Sequence, residues 1–145
     1  MAFTGNYTCT VFKTGLLSGT YNFNTGTSDV FKIALYTNLA TLNASTAVYT
    51  TDGEVSATGY TAGGSILTVT PVPTVGASGT TAYISFSNVS WTMATTARGA
   101  LIYKYGGTNP TVCVLDFGSD KTSTVTFTIT MPANTATAAL IRSSN

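Results

Sequence analysis

Histidine is absent from these 145 residues. Its absence removes His-based catalytic triads, imidazole metal ligands and a histidine charge switch between about pH 5 and 8. Charge is scarce too: Asp, Glu, Lys and Arg make up 8% of the chain, against roughly 25% in an ordinary soluble domain. Six basic and five acidic side chains leave a net charge of +1, so no electrostatic footprint for nucleic acid is present. Cys9 and Cys113, the only cysteines, form no CxxC pair. Cys113 reads as a small buried hydrophobe beside Leu115 and Phe117, and a Cys9–Cys113 disulfide stays open. No apolar run approaches the ~20 residues of a membrane-spanning helix. The opening MAFTGNYTCTVFKTG lacks the basic and apolar regions of a signal peptide. Synthesis in the cytoplasm and no membrane partner are therefore expected.

What replaces charge is hydroxyl, amide and apolar surface. Hydrophobic residues reach 43%, which excludes disorder, since disordered chains combine low hydrophobicity with high net charge. The length suits a single domain, residues 1–145, with a sizeable core. A surface of Thr, Ser, Asn and Gly has little repulsion to keep copies apart, which suits a protein held in an assembly.

The clearest pattern is TVCVLDFGSDKTSTVTFTITMP, Thr111 to Pro132. Val125, Phe127, Ile129 and Met131 alternate with Thr124, Thr126, Thr128 and Thr130, giving one apolar and one hydroxyl face. Thr111–Phe117 is a second β-rich run, and Gly118-Ser119-Asp120-Lys121 carries turn residues, so a hairpin folding at 118–121 is predicted. Upstream, Arg98–Tyr105 and the loop Gly106–Pro110 extend this to a three-stranded meander. Val30–Tyr36 reads as a strand with Phe31, Ile33 and Leu35 toward the core and Lys32, Ala34 and Tyr36 opposite. Gly26-Thr27-Ser28 opens it. Ser65–Thr70 and Thr80–Phe86 are further strands, the latter with Ala82, Ile84 and Phe86 on one face. Pro71-Val72-Pro73 and Gly76–Gly79 stand as stop and turn between them. Asn88 marks an irregularity before Val89, Trp91 and Met93, and Ala138–Arg142 is a last short strand. Thr8–Leu17 is the one short helix, capped by Thr8 and stopped by Gly19. Together these predict an all-β, single-domain antiparallel β-sandwich, jelly-roll or a related Greek key, with one short N-terminal helix. Residues 1–7 read as an extended arm and Thr37–Gly64 as a long loop.

Motifs that carry chemistry elsewhere read here as structure. Asp116-Phe117-Gly118 is a strand end entering a turn, since a kinase needs far more chain and a His-bearing loop. Asp116 with Asp120, or Asp52 with Glu54, lack the spacing of a calcium loop and read as turn residues. Tyr103-Lys104-Tyr105 puts its aromatics and its cation on opposite strand faces. Asn6-Tyr7-Thr8, Asn43-Ala44-Ser45 and Asn88-Val89-Ser90 match the glycosylation acceptor by chance in a Thr/Ser-rich chain. Trp91 is read as a core plug rather than a sugar platform. No catalytic, cofactor or metal residue is nominated. Phe3, Tyr7, Asn43, Tyr49 and Tyr60, on the arm and the long loop, are the candidate partner contacts, chosen for expected exposure.

FKTGLLSGTYNF (Phe12–Phe23), DVFKIALYT (Asp29–Thr37), GEVSATGYTAGG (Gly53–Gly64), TARGALIY (Thr96–Tyr103) and VLDFGSDKTS (Val114–Ser123) occur in this order. As an ordered set they resemble a family of small virion structural proteins encoded among the head genes of tailed bacteriophages. The chain departs from it at Tyr21, where relatives often carry His. The resemblance implies a capsid decoration, or cement, protein on the outside of the icosahedral head. Its partner would be the major capsid protein, with self-association as a homo-oligomer on the lattice, and it would carry no catalytic residues or cofactor. A tail-fibre, neck or receptor-binding virion component, or a lectin-like module using an exposed Trp91 or a Tyr cluster, is the alternative.

Overall fold

The computed structural model describes residues 3–24, 29–69, 74–75 and 79–144. In chain order the elements are β1 (Tyr7–Thr8), α1 (Thr10–Ser18), β2 (Val30–Tyr36), β3 (Ser65–Leu67), β4 (Thr74–Val75) and β5 (Ala82–Ile84). They continue with β6 (Val89–Thr92), β7 (Thr95–Tyr105), β8 (Thr111–Ser123), β9 (Thr126–Ile129) and β10 (Ile141–Ser143). With 43% strand, 7% helix and antiparallel sheets throughout, this is an all-β, sandwich-like single domain. The main sheet runs β1-β8-β7-β2-β3; smaller sheets β10-β5-β4 and β6-β9 complete the fold.

One long ribbon organises the sheets. β7 pairs with β8 and β6 with β9. Thr92 faces Thr126 and Thr95 faces Ser123, so three steps on one strand match three on the other. The register is therefore unbroken across the gap, and 89–105 against 111–129 is a single bent ladder. The hairpin predicted to fold at Gly118–Lys121 is thus corrected: β8 runs straight through those residues. Their turn chemistry is real but local. Two steps on β7, Ala97 to Gly99, oppose five on β8, Asp116 to Lys121, which makes a wide bulge. Gly118 takes φ +78 there, and its N–H donates to the Asp116 carboxylate at 2.8 Å. The direction of the strand changes instead at Thr124-Val125. That bend throws Val125 out to 67% exposure, whereas Phe127, Ile129 and Met131 are buried as read. The predicted meander is correspondingly two strands of the main sheet, and β9 belongs to the smaller one.

β2 keeps its predicted bounds, but its two faces do not divide as expected. Phe31, Ile33 and Leu35 are buried, and so are Ala34 and Tyr36, because the main sheet is covered on both sides. On one side Phe23 stacks on Phe31 at 4.5 Å and Phe86 lies 5.8 Å away, bringing the end of α1 and the β5 region onto the sheet. On the other, Phe3 of the N-terminal arm packs at Gly99, and the 37–64 segment lies over Ala34, Tyr36 and Tyr103. Gly64 makes that approach close: it has φ +72, and a Cβ there would sit 1.8 Å from the Ile33 carbonyl oxygen.

The helix begins two residues later than predicted. Thr8 is held in β1, opposite Cys113, so Cys9 occupies the N-cap position, without a side-chain cap. Gly19 ends the helix in the left-handed conformation, its N–H returning to the Gly15 carbonyl. Ser65–Thr70 shortens to β3, and Thr80–Phe86 to β5, where Ala82 is exposed while Ile84 and Phe86 are buried. Residues 26–28, Thr70, Pro71-Val72-Pro73 and most of the Gly76–Gly79 turn lie outside the described residues.

Two substitutions test this architecture. Phe127→Ala, which empties a buried site between Trp91 and Phe117, is expected to cost about 3–5 kcal/mol in denaturant unfolding. Val125→Ala at the exposed bend should stay within about 0.5 kcal/mol of the parent. Equal effects of the two would contradict the bend.

Candidate functional site

Glu54 gathers the most polar contacts of any side chain outside the sheets. Gly53 precedes it with φ +75, and Glu54 pairs in an isolated antiparallel bridge with Tyr36. Its carboxylate accepts from Tyr49 Oη at 2.6 Å, Tyr60 Oη at 2.7 Å and the Gly63 N–H at 2.8 Å. The Tyr60 oxygen in turn accepts from the Leu35 N–H at 2.9 Å. Tyr103 Oη donates to the Gly63 carbonyl at 2.7 Å, its ring stacked on Tyr49 at 4.7 Å. Tyr36 Oη donates to the Thr50 carbonyl. One carboxylate and four phenols thus clasp the 49–63 loop onto β2 and β7. A small cleft of about 190 Å³ opens beside Glu54 and Tyr60. Every polar atom named has an internal partner, which is the arrangement of a structural clasp rather than a reactive centre.

Burial pushes five of the eight tyrosines upward. For Tyr21 and Tyr103 the phenols rise to about 12, burial being followed by Cys9 near Tyr21 and by the Glu54 charge near Tyr103. Tyr36, Tyr49 and Tyr60 rise further, again through burial first; the hydrogen bond to Glu54 comes next for Tyr49 and Tyr60. Cys9 and Cys113 are both free and buried, and burial raises both thiols. Cys113 therefore sits in the core as read, and the two sulfurs are not bonded. Of the acids weighed for calcium, Asp116 pairs with Arg98 at 3.0 Å, which holds its carboxyl below the usual range. Asp120 accepts from Asn38. Among the described residues no three potential metal ligands come together.

The candidate contact residues do not share the exposure that selected them. Phe3 is 2% exposed, its ring against Gly99. The arm is likewise tied down, because Asn6 Oδ1 accepts the Asp116 N–H at 2.7 Å and Tyr7 pairs with Val114. Tyr7 is half-buried, and its hydroxyl bonds to that of Thr4. Tyr49 and Tyr60 belong to the clasp. Asn43 alone is exposed, and its Oδ1 accepts the Ser45 N–H to shape a turn. Loop length and aromatic content signalled a surface; the glycines at 53, 63 and 64, which let the loop approach the sheet, signalled a cover. Trp91 is 6% exposed, so it is not offered as a platform for a sugar.

A wider opening lies elsewhere, along the β8–β9 strand. It is a groove of about 700 Å³ lined by Leu115, Phe117, Lys121, Met131 and Leu140 with the threonines of β9. Sequence alternation found those threonines but assigned them to a flat face. The groove exists because the ribbon bends and bulges, which alternation does not encode.

No protein-family model matches this chain, and comparison with curated proteins and with solved structures finds no match either.

The clasp makes two predictions. Glu54→Ala leaves two phenols and an N–H without their acceptor and is expected to cost about 1–3 kcal/mol in thermal or denaturant unfolding; no loss would show the clasp to be idle. Raised phenols stabilise the fold in their neutral form. That contribution is whole below about pH 10, the unfolded value, and for Tyr21 and Tyr103 is lost as pH rises to about 12. Phenolate absorbance should therefore rise late and together with loss of tertiary circular dichroism. Complete ionisation near pH 10 with the fold intact would contradict the burial.

Proposed function

We propose that this chain is a capsid decoration protein of a tailed bacteriophage. It binds the outer surface of the assembled head and stabilises contacts between major capsid protein subunits. The observation that carries this is the ordered set of five resembling strings. They coincide with α1 and Phe23, β2, the Glu54 clasp, β7 and β8, that is, with the main sheet and its covers. The resemblance therefore concerns one scaffold rather than scattered turns.

Physical chemistry supports the same reading. A cement protein acts by mass action: it binds the shell and not its dissociated subunits, so the shell gains stability. Such work needs a rigid body with hydrogen-bonding surface and no reaction, and the polar groups of the most connected cluster are satisfied internally. In this proposal the partner is the major capsid protein, the chain self-associates on the lattice without cofactor or nucleic acid, and its place is the virion surface.

Co-sedimentation of the purified chain with phage heads lacking it, with and without tails, tests the reading. Saturable binding to tailless heads at a fixed ratio to capsid subunits, with raised heat resistance, is the expected result. Binding only to tailed particles would assign it to the tail or neck, and binding to neither would overturn a virion role.

A further inference from the structure

We infer that the groove along the β8–β9 strand is a docking site for an extended, acidic segment of a partner protein, added as a further strand. The inference rests on edge pairing and charge and is independent of the capsid reading.

The strand formed by β8 and β9 has two edges. One is paired along its length with β7 and β6. On the other, β1 pairs only at Cys113 and Val114; among the described residues no strand pairs with that edge from Leu115 to Ile129. The bulge interrupts the first part, leaving Lys121–Ile129 as a run in unbroken register, bent at Thr124-Val125. Unpaired edges of this length are templates for another chain's backbone, and proteins that do not use them block them. Here the bulge and Lys121 blunt only the first part of the edge, and a groove runs beside it, with partly exposed Leu115, Phe117 and Leu140 positioned to receive the alternate side chains of an incoming strand.

Charge selects the occupant. Lys121 lines the groove, and its ammonium donates to the Ser119 hydroxyl. Leu140, at the other end, also lines an adjoining polar cleft with Arg142, Thr8 and Thr81. Arg142 donates to the Thr137 carbonyl. Among the described residues neither cation has a carboxylate partner, whereas Arg98 and Lys104 do. Among the described residues no acidic side chain lines either opening. The complement is a strand of alternating apolar residues with Asp or Glu toward each end. A second copy fits less well, because the chain has only five acids and two of them, Asp29 and Asp116, are already paired.

Selection of a displayed library of random 12-residue peptides on the intact chain tests this. Enriched peptides should alternate apolar residues and carry Asp or Glu near their ends. Lys121→Glu and Arg142→Glu, both at exposed side chains, should each weaken a synthetic copy of the best peptide about tenfold without moving the melting temperature. Failure to enrich any peptide, or binding unchanged in both variants, would overturn the site. Concentration-dependent dimerisation of the unmodified chain in sedimentation, abolished by either variant, would overturn the partner assignment in favour of a second copy.

Discussion

The ladder between residues 89–105 and 111–129 is the constraint on which the rest of this molecule depends. A two-stranded ribbon this long cannot stay flat and serve two sheets, so it must bend, and the bend at Met93-Ala94 and Thr124-Val125 sends β6 and β9 out of the main sheet. The wide bulge opposite Arg98 adds the second adjustment. A bulge sharpens local twist at the expense of ladder hydrogen bonds, and here the lost pairing is offset locally. Asp116 accepts from the Gly118 N–H, pairs with Arg98, and donates its own N–H to Asn6. One residue thereby joins the bulge, the neighbouring strand and the N-terminal arm.

Coverage of the main sheet follows from composition. With few charged residues, neither face can be left to solvated lysines and glutamates, as antiparallel sheets commonly arrange on one side. One face takes the aromatic set Phe12, Tyr21, Phe23, Phe31 and Phe86, packed edge-to-face and stacked. The other takes a loop that has no strand ladder of its own to satisfy its backbone. Glu54 and the phenols solve that problem by supplying hydrogen bonds at the points where the loop meets β2 and β7. Glycines at 53, 63 and 64 with positive φ let the backbone come close enough for those bonds to form.

This division explains what could be read without coordinates. Periodicity located β2 to the residue and put Phe127, Ile129 and Met131 inside, because alternation reports burial directly. It also found the αL stop at Gly19. It misjudged Gly118–Lys121, since turn-forming residues serve a bulge and a reversal equally well, and only cross-strand register separates the two. It misjudged the exposure of the candidate contact residues for a related reason: Phe3, Tyr49 and Tyr60 lie in segments without a repeating pattern, and whether such a segment covers a sheet or faces water is decided by what the sheet needs. The groove was the least legible feature, because it is bounded by Leu115 and Met131, on either side of the bend, and by Leu140 from the segment that follows.

The same bend shapes the groove. Leu115, Phe117 and Lys121 line it from β8, Thr126 to Met131 and Leu140 complete the lining, and Arg142 stands in the adjoining cleft. Strand addition draws its affinity from main-chain hydrogen bonds and its specificity from pockets for alternate side chains. In the proposed docking the edge from Lys121 to Ile129 would supply the first term and Leu115, Phe117 and Leu140 the second, so exchanging those side chains would change which segment binds, whereas disturbing the ribbon register would abolish binding.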